Sequence, residues 1–179
     1  MTREYTITAF SENSIGLLTR ITIIFTRRNV NIESLTVSES SIKGIHKFTI
    51  VINTTQEQVI KVVGQIEKLV EVLKAFYHEP EDIIFQEVAL YKVQTDTLLA
   101  SNAIEQIVRC YNARILDVTP EYTVLEKTGH EGETQQLFEE LKKIGVKQFT
   151  RSGRIAITKS NIEYLSEYLS KRESSRDDS

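Results

Sequence analysis

The feature that most limits how this chain can fold is an order of strand-like and helix-like segments, β-α-β-β-α-β, that occurs twice in 179 residues. Tyr5, Ile7 and Ala9 alternate with Thr6 and Thr8, the period of two expected of a half-buried strand over residues 5–10. Leu17, Leu18, Ile21, Ile24 and Phe25 then recur at helical spacing, with the helix ending near Arg28. Residues 31–39 return to strand. Residues 46–53 carry Phe48, Ile50 and Ile52 at alternate positions, residues 55–69 carry Val59, Val63 and Ile66 on a helical stripe, and a fourth strand covers 71–77.

The order repeats after the polar hinge 78–82. A long strand over 83–93 precedes a helix bearing Ile104, Ile107, Val108 and Tyr111. Strands over 113–119 and 122–128 flank Pro120-Glu121. A helix with Leu137, Phe138, Leu141 and Ile144 leads to a strand over 147–158 that breaks at Ser152-Gly153. Ile162, Leu165, Tyr168 and Leu169 mark a short appended helix. The expected architecture is therefore α+β, two ferredoxin-like βαββαβ domains over residues 1–78 and 79–170, each an antiparallel sheet with its helices on one face. The charged, serine-rich residues 171–179 are expected to be disordered.

Composition restricts the function. A net charge of −3 offers no broad positive field for nucleic acid or an anionic membrane surface. The single cysteine, Cys110, cannot close an internal disulfide, and the first ten residues are too polar for a signal peptide; both point to a reducing cytoplasm. No window approaches the roughly 18 apolar residues of a membrane-spanning helix.

An enzyme would need residues that this sequence does not assemble. His46, His78 and His130 fall at a strand start, in the hinge and in a turn, without a second ligand at metal-site spacing, and read as solvated polar residues. Cys110 flanks an apolar stripe, the setting of a half-buried structural thiol. No phosphate loop, dinucleotide fingerprint or nucleophile elbow occurs. The RNA-recognition fold shares the element order, and Lys43-Gly44 suits its third strand. However, Ile45 and Ile50 stand where base-stacking rings belong.

More informative is the stretch Glu12-Asn13-Ser14-Ile15-Gly16-Leu17-Leu18, where the first strand gives way to the first helix. Helix-start N–H groups point into such a turn, glycine permits close approach, and the local dipole favours a carboxylate. An amino acid could dock there, with Asn13 and Asn31 adding contacts. Spacing alone favours a plainer role, in which Asn13 or Ser14 caps the helix and Gly16 relieves strain.

The run Asn13-x-x-Gly16-x-Leu18-x-Arg20, followed by Phe25, Arg28 and Asn31-Ile32-Glu33-Ser34-Leu35-Thr36-Val37, resembles the N-terminal ACT domain of the acetohydroxyacid (acetolactate) synthase regulatory subunits. Residues 65–73, 114–120 and 151–153 extend the similarity. The resemblance implies a non-catalytic regulatory subunit that activates a catalytic large subunit and confers feedback inhibition by valine or another branched-chain amino acid. Thiamine diphosphate, magnesium and FAD would then belong to the partner and no cofactor to this chain. By position it implies an effector site of Asn13, Ile15, Gly16, Leu17, Asn31 and Ile32, formed between two copies in a homodimer. The alternative is a stand-alone ACT-type amino-acid sensor acting on another target.

Overall fold

The computed structural model describes residues 1–100, 103–162 and 164–177. Two compact units emerge, one built from residues 1–84 together with 154–179 and the other from 85–153.

In the first unit, β1 (Arg3–Glu12), α1 (Leu17–Arg27), β2 (Ser34–Glu39), β3 (Ile45–Thr54), α2 (Gln56–Ile66) and β4 (Val72–His78) form a four-stranded antiparallel sheet of order β2-β3-β1-β4. The predicted periodicities decide which side chains face inward. Tyr5, Ile7 and Ala9 of β1 and Phe48, Ile50 and Ile52 of β3 meet Leu17, Ile21 and Phe25 of α1 and Val59, Val62 and Ile66 of α2 in one buried core. Thr55 caps α2 by accepting from the Gln58 N–H. Two polar contacts fix the pitch of α1: Arg20 pairs with Glu71 at 2.5 Å, and the Arg28 Nε–H donates to Gln65 Oε1 at 2.8 Å.

A 3-10 turn at Pro80–Asp82 leads to β5 (Ile83–Gln94). In the second unit β5 is followed by α3 (Thr95–Ala100), α4 (Ala103–Tyr111), β6 (Arg114–Val118), β7 (Tyr122–Gly129), α5 (Glu131–Ile144) and β8 (Val146–Arg151). The strand order β6-β7-β5-β8 reproduces that of the first unit, so the α+β, doubly ferredoxin-like class predicted from the pattern is the one observed. Ala89, Tyr91, Val93, Leu98, Leu125, Leu137 and Leu141 form its core.

Beyond Gly153 the chain groups with residues 1–84 rather than with 85–153, as β9 (Ile155–Thr158), which pairs with β5, and α6 (Tyr164–Asp177). The physical cause is an anchored strap. The Arg154 N–H donates to Ser34 Oγ (3.1 Å), and its guanidinium reaches Glu4 Oε1 (2.7 Å) and Thr6 Oγ1 (3.0 Å). Lys47 Nζ donates to the Ala156 carbonyl, and the Lys159 N–H to that of Asp82. Residues 171–177, expected to be disordered, continue α6; 178 and 179 lie outside the described residues. Cys110 is exposed rather than half-buried, and His78 ends β4 rather than standing in an open hinge. No helix among the described residues is long and apolar enough to cross a membrane.

Candidate functional site

The junction between β1 and α1 owes its shape to one glycine. Gly16 occupies the N-cap of α1 at φ 81°, in the left-handed region that most side chains avoid, and a Cβ built on it would meet nothing within 4 Å. Glycine is required there by backbone conformation, and the space beside it is open. No side chain caps the helix, so the capping role considered for Asn13 and Ser14 is not realised. The Leu17 N–H reaches the Ser14 carbonyl and the Arg20 N–H the Gly16 carbonyl. The N–H groups of Leu18 and Thr19 lie in the first turn, where the helix itself supplies no acceptor.

A hollow of about 180 Å³ opens at this point, lined by Ser11, Glu12, Asn13, Gly16, Leu17, Leu18, Val37, His46 and Phe48 among others. Ser11 is wholly buried, and its Oγ has no hydrogen-bond partner among the described residues. A buried hydroxyl with no protein partner can bond a polar group that enters the hollow. Glu12 adds a carboxylate at the rim, while Leu17, Leu18, Val37 and Phe48 supply apolar surface. Beside the junction, the hydrogen bond from Arg20 holds the Glu71 carboxyl below the usual carboxylate range, so the pair stays charged at neutral pH and steadies the first turns of α1.

Of the six positions singled out in the sequence, Asn13, Gly16 and Leu17 line this hollow, although Leu17 is 2% exposed and its side chain belongs chiefly to the core. Ile15 projects fully into solvent. Asn31 and Ile32 lie elsewhere. The register pairs Val37 with Phe48, next to the hollow, but Ser34 with Val51, so Asn31 sits beyond the far end of β2, some six residues or roughly 20 Å from Val37. Asn31 Nδ2 instead donates to Glu33 Oε1 at 3.2 Å, and Ile32 packs against the core. A single chain therefore does not gather the six into one site. Sequence reasoning missed Ser11, Val37, His46 and Phe48. Continuing the β1 alternation two residues past Ala9 finds Ser11, whereas its register partner His46 requires the strand pairing.

The described residues contain no cluster of histidine, cysteine and acidic side chains able to hold a metal. Ile50, weighed as a base-stacking position, is buried in the core.

Tandem ferredoxin-like modules, the first with an uncapped, glycine-turned helix start, define the class of small ACT-containing α+β proteins. Residues 7–74 match the family described as AHAS small subunit-like ACT domain, and residues 86–160 match that described as small subunit of acetolactate synthase. The acetolactate synthase small subunit of Mycobacterium bovis is 31% identical over 88% of this chain and 93% of its own length. That of Aquifex aeolicus is 31% identical over 87% and 81%. The crystal structure of the small subunit from Thermotoga maritima superposes with a TM-score of 0.80 at 29% identity, covering 89% of this chain and 99% of that one. This chain belongs to the acetolactate synthase small-subunit family.

Proposed function

We infer that the protein is the regulatory subunit of an acetolactate synthase, activating the catalytic large subunit and making it sensitive to valine or a related branched-chain amino acid. The observation that carries the effector site is the β1–α1 junction, where an uncapped helix start, an orphaned buried hydroxyl and open space beside Gly16 converge. Helix-start N–H groups suit a carboxylate, Glu12 offers the negative charge that an α-ammonium group needs, and the apolar wall suits an aliphatic side chain. Each hydrogen bond to a charged group contributes about 1.5–3 kcal/mol, so several must act together.

The distance between Asn13 and Asn31 supports a site completed by a second copy. At about 180 Å³ the hollow is below the roughly 300 Å³ at which ligand pockets usually begin. Exposed apolar side chains surround it: Ile15 in the turn before α1, Leu18 on α1 and Val37 on the edge strand β2. A homodimer would cover them and bring the Asn31 end of one copy towards the junction of the other. The effector then changes how the two copies pack, and the large subunit senses that change; the shift is limited to the effector's differential affinity for the two arrangements. In this scheme the protein acts in the cytoplasm, and thiamine diphosphate, magnesium and FAD serve the large subunit.

The test is acetolactate formation by the reconstituted complex across a valine titration. Gly16→Asp places a carboxylate against the ligand carboxylate and should raise the inhibitory valine concentration about tenfold or more, while activation is retained. Gly16→Asn tolerates the same left-handed backbone without the charge and should stay close to the parent. Unchanged valine sensitivity in Gly16→Asp would refute the site. Failure of the chain to co-purify with, or activate, a large subunit would favour a free-standing sensor. Calorimetric titration with valine, leucine and isoleucine would then rank the effectors.

A further inference from the structure

The first sheet ends in β2 on one side and in β4 on the other. Along β4 runs an open groove of about 790 Å³, well above the roughly 300 Å³ at which ligand pockets usually begin. Its walls include Ala75 and Tyr77 from the helix-facing side of the strand and Phe76 and His78 from the opposite side, so the groove follows the strand's free edge. Val63 of α2 stands on one flank and Tyr164 of α6 on the other. The hydrogen-bond ladder shows what this edge offers. The Ala75 N–H points away from β1 and donates to Glu67 Oε1 at 3.3 Å, a carboxylate oxygen standing where a neighbouring strand's carbonyl would. Ladder bonds alternate, so Tyr77, two residues on, also turns its N–H and C=O outward, and nothing among the described residues takes them. The Ala75 carbonyl is open on the same edge. Charge differs between the ends of the groove. Glu67 pairs with Lys74 at one end, whereas at the His78 end Glu81 and Asp82 present carboxylates and Lys159 directs its ammonium to the Glu81 carbonyl.

We propose that this edge is a docking site for an extended segment of a partner protein, which adds to the first sheet as a further antiparallel strand beside β4. The segment places a basic residue beside Glu81 and Asp82 and apolar side chains towards Val63 and Tyr77. In strand addition the main-chain bonds supply affinity and the alternate side chains selectivity. The flanks formed by α2 and α6 favour a bare strand over the two-layered edge of a second copy. Because β4 lies at the opposite edge from β2, a dimer formed through β2 leaves it accessible. The site does not depend on the effector reading of the β1–α1 junction.

The probe is the peptide acetyl-Lys-Val-Thr-Val-Thr-amide, titrated into the full-length chain and followed by NMR. In antiparallel register its valines fall opposite Tyr77 and Ala75, and its lysine reaches the Glu81 end. Intermolecular nuclear Overhauser contacts to Ala75 and Tyr77 are expected, with the Tyr77 N–H fast to exchange in the free chain and slowed in the complex. N-methylation of both valines should weaken binding about tenfold or more, whereas N-methylation of the central threonine, whose N–H points away from β4, should leave it unchanged. Norleucine in place of lysine should weaken it about threefold, as should Glu81→Gln in the protein. Absence of binding at millimolar peptide, contacts centred on β2, equal losses from the two methylations, or equal affinity for the lysine and norleucine peptides would each overturn the proposal. So would a Tyr77 N–H already slow to exchange in the free chain, the sign of a second copy on this edge. The methylation and norleucine comparisons use the unaltered protein and stand even if Glu81→Gln misfolds.

Discussion

The two modules share a strand order, yet their central strands live in different surroundings. From Tyr5 to Ser11 every residue of β1 is buried, the two threonines Thr6 and Thr8 at 1% and 7% exposure included, whereas in β5 buried Ala89, Tyr91 and Val93 alternate with half-buried Val88, Leu90 and Lys92. The first sheet is covered on both faces, by α1 and α2 on one and by the strap on the other. The second shows the plain alternation of a sheet packed on one side. Topology sets which residues point where; what covers the outer face is decided by a segment that lies about 150 residues away along the chain.

That contrast can be broken most directly by charge. Thr8→Lys puts an ammonium beneath the strap and should destabilise the first module by about 2–4 kcal/mol. Leu90→Lys, at the matching place in β5, should cost about 1 kcal/mol because its side chain can reach water. Denaturant unfolding combined with amide hydrogen exchange distinguishes the modules, and equal costs would show that the strap does not seal the face. Next in size, Arg154→Met keeps the side chain's length but loses the bonds to Glu4 and Thr6. It should cost about 1–3 kcal/mol and speed exchange at the β9 amides, with the second module unaffected.

A third test acts on the second module. The Tyr91 hydroxyl donates to the Thr134 carbonyl at 2.7 Å, and burial pushes its pKa up to about 12. Because the folded value lies above the unfolded one, this contribution is complete below about pH 10 and is lost as pH rises from there towards 12. Alkaline melting of the second module should follow that window, and Tyr91→Phe should remove the dependence while costing about 1 kcal/mol. The smallest effect belongs to His78. Its folded pKa is depressed, so its contribution is complete above about pH 6.5 and declines as pH falls below that, and His78→Gln should flatten the acid limb of the first module.

Half of the candidate site was legible in the sequence, and the missing half has a physical explanation. Gly16 and Asn13 were found because a glycine at a strand-to-helix junction signals a local backbone requirement, and local requirements are written locally. Ser11 read as loop polarity, since nothing in the sequence says that its hydroxyl is buried and unpartnered. Val37, His46 and Phe48 come to the junction through antiparallel register, a property of two or three strands together. Asn31 shares the sequence signature but lies at the other end of β2, because neighbours in sequence separate at 3.3 Å or so per residue along a strand.

Hydrophobic periodicity by itself determined the two ferredoxin-like modules, their element order and the core faces of their strands, because burying one face of each element leaves few arrangements of six elements. Only the tertiary structure decided where the described residues after Gly153 go. The alternating Thr6, Thr8 and Phe10 fit an open face as well as a covered one. The contacts that cover it, from Arg154 to Glu4 and from Lys47 to Ala156, join residues whose proximity no local pattern encodes.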